Sequence, residues 1–143
     1  MRRPTRPSTP VAALAALAGL LALSPVAAET IGVDEAALRE LLGEGVPVVD
    51  IRRPEEWRQT GVIEGSHLLT FFDAEGRYDA AAWKAALDGL VDADEPVALI
   101  CRTGRRTSLV AEWLGGRAGH ATVYDVEGGI TAWREAGGET VAP

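Results

Sequence analysis

Residues 96–107 read Pro96-Val97-Ala98-Leu99-Ile100-Cys101-Arg102-Thr103-Gly104-Arg105-Arg106-Thr107, an apolar run followed directly by a cysteine and an arginine-rich segment. The apolar part is short and partly β-branched, which predicts a buried strand of a parallel sheet. Residues 107–114 then carry apolar side chains at helical spacing, and we expect the helix to stop at Gly115 and Gly116. Cys101 is therefore predicted to lie in a tight loop between a strand and a helix.

Two features of this loop favour negative charge on the Cys101 sulfur. The backbone N–H groups of a first helical turn are free to converge on an anion. Three arginines, Arg102, Arg105 and Arg106, add positive potential within five positions. Because the thiolate is the reactive form of cysteine, the sequence predicts a nucleophile at Cys101, facing solvent at the edge of the sheet. The alternative is a small, buried and inert cysteine, which the arginine-rich loop disfavours.

Cysteine and histidine counts limit the other kinds of site. Cys101 is the only cysteine of the chain, so no internal disulfide can form. The two histidines, His67 and His120, have no companions at metal-ligand spacing. The sequence therefore predicts no metal site, and chemistry at Cys101 that needs no cofactor.

The N-terminal segment has the features of an export signal. Arg2, Arg3 and Arg6 precede an apolar stretch at residues 11–23, and small residues lie just before Glu29. This pattern predicts a cleavable secretory signal peptide at residues 1–28 and a single domain at residues 29–143. The apolar stretch is shorter than the roughly 20 residues that span a bilayer, so we expect no stable membrane anchor. We expect the protein to be periplasmic or extracellular.

Charge narrows the range of partners. Residues 29–143 hold 11 basic and 21 acidic side chains, a formal charge of −10. This balance disfavours binding to nucleic acid or to an anionic membrane. Against the acidic background, the arginines that follow Cys101 reverse the sign locally, which suits a small anionic substrate.

Strand and helix signals alternate along the rest of the chain. Helices are predicted to begin after Asp34, at Pro54 and after Asp79, and a last helix runs through Trp133. Strands are predicted at residues 46–51, 96–100 and 121–126, with short extended pieces at residues 62–63 and 67–72. The alternation predicts an α/β fold with a central, mainly parallel sheet covered by helices on both faces.

Three segments, residues 48–57, 101–107 and 123–133, give the chain a family resemblance. The loop at residues 101–107 matches the pattern Cys-Arg-Ser/Thr-Gly-x-Arg-Ser/Thr at every fixed position. The sequence is similar to the single-domain rhodanese-like sulfurtransferases, and the resemblance covers nearly all of residues 29–143. It implies the rhodanese-like fold.

The resemblance implies that Cys101 takes sulfur from thiosulfate or a related donor, holds it as a persulfide and passes it to a thiol or cyanide. A sulfur-relay or thioredoxin-like protein is a candidate partner. The persulfide would be bound by the loop, whose residues are Arg102, Thr103, Gly104, Arg105 and Arg106. Gly104 would let the backbone curve around the sulfur, and Arg106 would orient the loop or bind the donor. Arg105 occupies the variable position, where we expect a solvated side chain.

Three further residues are predicted to support the loop from behind: Asp50, Arg52 and Thr107. Asp50 would contact Arg52 or the loop, or would only cap its strand. Arg52 and Glu56 lie four positions apart and would pair with each other as part of the fold. One family feature is missing, because residues 61–66 lack the histidine and proline that relatives often carry in this turn.

Two alternatives to a turnover enzyme stay open. The first is a persulfide carrier or sulfur-binding module that accepts sulfur from a partner enzyme without turnover of free thiosulfate. The second, less favoured, is a phosphatase or arsenate reductase on the same fold. Those relatives have five residues between cysteine and arginine, whereas four separate Cys101 from Arg106.

Overall fold

The computed structural model describes residues 28–143. The signal peptide predicted at residues 1–28 therefore lies outside the described residues, apart from Ala28. Strands and helices alternate along the described chain in the order β1 (Glu29–Val33), α1 (Glu35–Gly43), β2 (Val48–Asp50), α2 (Pro54–Thr60), β3 (His67–Leu68), α3 (Ala80–Asp88), β4 (Pro96–Ile100), α4 (Arg105–Gly116), β5 (Thr122–Val126) and α5 (Gly129–Glu135).

The strands form a five-stranded sheet in the order β1-β5-β4-β2-β3. All four neighbouring pairs of strands run parallel. β4 is the central strand, and its carboxyl end opens into the loop of Cys101. In parallel α/β sheets, binding sites form at this edge, because the carboxyl ends of the strands meet there. The predicted α/β architecture is confirmed.

The alternation of side chains along β4 divides the hydrophobic core into two layers. Val97 and Leu99 belong to a cluster that includes residues of α3 and α4. Ala98 and Ile100 belong to a second cluster, formed with residues of α1 and α5. Each fully buried aliphatic side chain contributes about 1.5–3 kcal/mol relative to exposure. Helices therefore cover both faces of the sheet, as predicted.

Helix starts follow the capping residues that the sequence indicates. The Asp34 carboxylate accepts a hydrogen bond of 2.9 Å from the N–H of Ala37, and Asp79 accepts one of the same length from Ala82. Such caps satisfy backbone donors that have no partner inside the helix. Among the described residues, no helix has the length and apolarity needed to cross a membrane.

Three elements differ from the sequence-based prediction. β1 was not predicted. α4 begins at Arg105, two residues before the predicted start, and its last residues are the glycines expected to end it. Gly115 serves close packing instead, because a Cβ there would lie 2.7 Å from the Thr30 hydroxyl oxygen of β1. The extended piece predicted at residues 67–72 forms a strand only at His67–Leu68.

Candidate active site

Cys101 lies directly after β4, at the carboxyl edge of the sheet. The N–H of Gly104 donates a hydrogen bond of 3.2 Å to the Cys101 Sγ. The Thr107 Oγ1 lies 3.6 Å from the same sulfur, and either atom can be the donor. The loop thus surrounds the sulfur with a backbone amide and a hydroxyl, both groups that can stabilise negative charge. Thr107, predicted to support the loop from behind, contacts the sulfur directly.

The prediction that Cys101 faces solvent is wrong. The residue has no exposed surface, and it belongs to the same hydrophobic cluster as Val97 and Leu99. The reason is the alternation of β4, which continues for one more residue and turns Cys101 toward α4. The sulfur therefore has apolar neighbours on the core side and polar atoms of the loop on the other.

The shape of the loop depends on two glycines. Gly104, the residue before α4, has a φ of +87°, a conformation that glycine adopts without strain. A Cβ at this position would also lie 3.0 Å from the backbone nitrogen of Gly128. Gly129 is more tightly packed, because its Cβ would lie only 2.4 Å from the carbonyl oxygen of Cys101. The loop and the turn before α5 are therefore in backbone contact.

The first turn of α5 also binds the carbonyl groups of the loop. The N–H of Ile130 donates a hydrogen bond of 2.8 Å to the Cys101 oxygen, and the N–H of Thr131 donates one of 3.1 Å to the Arg102 oxygen. These bonds fix the orientation of the peptide groups that follow Cys101. The segment at residues 123–133, part of the family resemblance, thus helps to hold the loop in place.

Arg106 is bound by Glu56 of α2 through two parallel hydrogen bonds. Nη1 donates to Oε2 at 2.8 Å and Nη2 donates to Oε1 at 2.7 Å. Burial alone raises the pKa of Glu56, but hydrogen bonds from Arg106 and from the Arg53 N–H lower it to about 2. Glu56 also raises the pKa of Arg106, to which the Cys101 sulfur adds. The pair therefore links the first turn of α4 to α2. The role predicted for Arg106, to orient the loop or to bind the donor, stays a prediction.

This geometry corrects the predicted pairing of Glu56 with Arg52. The Glu56 carboxylate contacts Arg106, and Arg52 reaches only the Glu56 carbonyl oxygen, at 3.4 Å. The Arg52 guanidinium is bound instead by Asp50, with an Nη2–Oδ2 distance of 2.7 Å, and neither side chain is exposed beyond 1%. Asp50 and Arg52 thus form a buried pair whose side-chain hydrogen bonds stay within residues 50–61 and do not reach the loop.

A cleft of about 560 Å³ lies over the loop. Arg102, Thr103, Arg105 and Arg106 line it, whereas Cys101 does not. The sequence-based prediction missed the residues contributed by other segments, among them Arg53, Glu56 and Phe72. Their signal in the sequence is weak, because each is close to the loop only through the fold.

Comparison with known proteins identifies the family. A family model described as "Rhodanese-like domain" matches residues 34–136. The chain belongs to the rhodanese-like family. A curated rhodanese relative, the thiosulfate sulfurtransferase GlpE of Pseudomonas syringae pv. syringae, is 30% identical over 98 residues, which cover 68% of this chain and 78% of the relative.

Solved structures agree on the rhodanese-like fold. A rhodanese-related protein from Thermoplasma volcanium is 26% identical, with a TM-score of 0.60 over 79% of this chain and 99% of that one. A protein from Rhodopseudomonas palustris, described as of unknown function and a possible tyrosine phosphatase, is 28% identical, with a TM-score of 0.58 over 78% of this chain and 85% of that one.

Other reactive groups of this rhodanese-like domain lie away from the loop. The imidazole of His120 is buried, and its Nε2 lies 2.7 Å from the carbonyl oxygen of Glu95. Within residues 28–143, no three side chains of histidine, cysteine, aspartate or glutamate come together as metal ligands.

Proposed function

We propose that this protein is an exported sulfurtransferase that works through a persulfide on Cys101. The observation that carries the proposal is the set of groups around Sγ, with an amide donor at Gly104 and a hydroxyl at Thr107. A loop of this kind stabilises charge on sulfur without a cofactor. The curated relatives named thiosulfate sulfurtransferase support the same reaction class.

The reaction would take place in two displacements at sulfur. In the first, the Cys101 thiolate attacks the outer sulfur of thiosulfate, the new S–S bond forms, and sulfite leaves with the electron pair of the bond that breaks. In the second, a thiolate or cyanide attacks the outer sulfur of the persulfide, and Sγ leaves as a thiolate. Sγ thus begins the first step and ends the second step as a thiolate, and the loop can stabilise the negative charge of that form.

The buried position of Sγ adds a requirement to this proposal. Because Cys101 has no exposed surface, the donor must displace groups that cover the sulfur, or the loop must open. The cleft above the loop gives the donor a place to bind first, beside Arg102 and Arg105. In the described residues neither of these arginines forms an ion pair, unlike Arg106, so both are available to an anionic donor.

Intact mass spectrometry tests the proposal directly. The protein is incubated with thiosulfate, and we expect a gain of one sulfur atom that Cys101→Ser abolishes. Thr103→Ser is a matched control, because it changes a loop side chain without removing a group that contacts Sγ. If the wild-type protein gains no sulfur, the proposed persulfide is wrong.

Turnover distinguishes an enzyme from a persulfide carrier. An enzyme converts thiosulfate and cyanide to thiocyanate over many cycles, whereas a carrier loads once and stops. Hydrolysis of an aryl phosphate tests the phosphatase alternative, which the loop of four intervening residues disfavours. We expect thiocyanate formation and no phosphate release.

Export is the remaining part of the proposal. It is supported by the basic start, the apolar stretch at residues 11–23 and the small residues before Glu29. Expression of the full chain in a bacterium with two membranes, followed by cell fractionation and mass measurement, tests it. We expect a periplasmic protein that begins at Glu29, and a cytoplasmic protein of full length would contradict the proposal.

A further inference from the structure

Asp125 is a half-buried acidic residue that the proposed reaction does not use. It lies on β5 opposite Leu99 of β4, and Val123, two residues earlier, belongs to the core cluster of the α4 face. Its Oδ1 atom is buried and has no hydrogen-bond partner among the described residues. A carboxyl oxygen in this position is costly to the fold unless a group nearby uses it.

The Thr107 hydroxyl connects Asp125 to the predicted nucleophile. Thr107 Oγ1 lies 3.6 Å from the Cys101 Sγ and donates a hydrogen bond of 3.0 Å to the carbonyl oxygen of Gly104. Burial raises the pKa of Asp125, the Thr107 hydroxyl lowers it, and the pKa remains above its usual value. A hydroxyl has only one hydrogen, so the Cys101 sulfur, the Gly104 carbonyl oxygen and the Asp125 carboxylate compete for the hydrogen of Thr107.

We propose that Asp125 is a positioning residue that sets, through the Thr107 hydroxyl, how well the Cys101 sulfur holds negative charge. The inference rests on the proposed function, because it assigns a further residue to the same reaction. A protonated Asp125 donates its own hydrogen to Thr107 Oγ1, which leaves the hydroxyl hydrogen free for Sγ. An ionised Asp125 accepts that hydrogen, and its negative charge also opposes charge on the sulfur.

Few charged groups lie near Asp125. On its own side of the sheet edge, the negative charge of Glu127 raises the pKa of Asp125. The neighbouring strand β1 places Gly32 opposite Asp125, which brings no charge. On α4, the first-turn arginines Arg105 and Arg106 line the cleft, where Arg106 is bound by Glu56. On the side of β4, the nearest titratable residue is Cys101, which directly follows the strand. The protonation of Asp125 therefore depends mainly on its burial, on Thr107 and on Glu127.

Both displacements depend on this arrangement. Sγ carries negative charge when it attacks the donor and again when it leaves the persulfide. A hydrogen bond from Thr107 stabilises that charge in each case, and hydrogen bonds to charged groups are the stronger kind. Ionisation of Asp125 would remove this hydrogen bond and slow both steps.

The rate at which iodoacetamide alkylates Cys101 tests the proposal across a range of pH, with the full chain. Asp125→Asn keeps the shape of the side chain and always offers a donor to Thr107. We expect this variant to react about tenfold faster than wild type at neutral pH. At acid pH, where Asp125 is protonated, the two rates should converge. Thr107→Ser should keep the pH dependence of the wild-type rate, because it keeps the hydroxyl, whereas Thr107→Val should lose it.

A double-mutant comparison separates the hydrogen bond from simple repulsion between charges. In the Thr107→Val background, the gain from Asp125→Asn should shrink several-fold. An equal gain in both backgrounds, or profiles of wild type and Asp125→Asn that coincide at every pH, would overturn the proposal. If Asp125→Asn does not fold, the ratio of the wild-type rate to the Thr107→Val rate is measured across the same pH range. A ratio that is larger at acid pH than at neutral pH would support the proposal, and a ratio that stays constant would overturn it.

Alkylation needs no sulfur donor, so this test does not depend on the proposed enzyme activity. Persulfide formation from thiosulfate is measured on the same samples. Absence of loading together with the expected alkylation profile would contradict the sulfurtransferase and leave the role of Asp125 supported. Normal loading together with coincident alkylation profiles would contradict only the role of Asp125.

Discussion

Arg52 and Arg106 are both bound by a carboxylate, but the two pairs differ in place and in exposure. Arg52 is completely buried, and its partners Asp50, Thr60 and Gly61 all lie within a short segment of chain. Arg106 is 23% exposed at the cleft, and its partner Glu56 lies fifty positions away. The same kind of ion pair thus lies inside a local segment of the fold in one case and joins α2 to the start of α4, beside the Cys101 loop, in the other.

The comparison teaches that burial and partners, not residue type, decide what an arginine does. The Arg52–Asp50 pair is buried, so the Arg52 side chain cannot contact a ligand bound at the surface. A pair at the wall of the cleft fixes one end of the loop while leaving Arg102 and Arg105 available. Substitutions in the two pairs should therefore separate stability from reactivity.

The largest expected effect is a loss of protein stability when the buried pair of Arg52 and Asp50 is broken. Arg52→Met leaves the Asp50 carboxylate buried without its partner, and we expect a loss of about 3–5 kcal/mol in the free energy of unfolding. Denaturant unfolding measures it. Arg77→Met is the matched control, because the pair of Arg77 with Asp73 is exposed at the surface and should leave stability unchanged. Equal stability of both variants would contradict the structural role of Arg52.

Glu56→Gln should have a smaller effect on stability and a larger one on the loop. We expect a loss of about 2 kcal/mol in unfolding free energy, because a charged hydrogen-bonded pair is replaced by a neutral contact. Persulfide formation should slow by about tenfold, since Arg106 loses its anchor. Intact mass spectra recorded over a time course measure the rate of persulfide formation. Full loading activity in a destabilised variant would mean that the pair serves only the fold.

The pH dependence of stability should carry the signature of Glu56. Its pKa is lowered in the folded protein from 4.5 to about 2, so its ionised form stabilises the fold. This contribution is fully present above pH 4.5 and is lost as pH falls toward 2. The difference in unfolding free energy between wild type and Glu56→Gln should therefore narrow over that range. A difference that stays constant there would contradict the assignment.

The smallest expected effect separates the neighbouring arginines of α4. Arg106→Ala should slow persulfide formation about tenfold, whereas Arg105→Ala should change it less than about twofold, because Arg105 forms no ion pair among the described residues. Loading rates at saturating thiosulfate, where donor binding no longer limits the rate, measure both. Equal losses in the two variants would show that both arginines act by charge alone.

Local patterns allowed much of the fold to be predicted. The apolar run of β4, the caps Asp34 and Asp79 and the proline that begins α2 are signals within a few residues, and the structure confirms each of them. β1 was missed because it is five residues long, contains Gly32 and is defined by its pairing with β5. Such pairing between distant segments leaves little trace in a local pattern.

The site was predicted in part for the same reason. Gly104 and Thr107 are close to Cys101 in sequence, so their contacts with its sulfur follow from the strand and helix beside them. The pair of Glu56 with Arg106 joins distant segments and could not be deduced from spacing. The burial of Cys101, in contrast, could have been predicted from the sequence. Every second residue of a strand lies on the same face, so Cys101, directly after β4, follows Val97 and Leu99 into the core.

The hydrogen bonds from α5 to the carbonyl oxygens of Cys101 and Arg102 matter for protein design. A loop of this sequence, grafted alone onto another sheet, would have peptide groups free to rotate, and a carbonyl oxygen turned toward the sulfur would repel charge there. The turn at Gly128 and Gly129 must therefore be transplanted together with it. The smallest portable unit of this chemistry is a pair of segments distant in sequence.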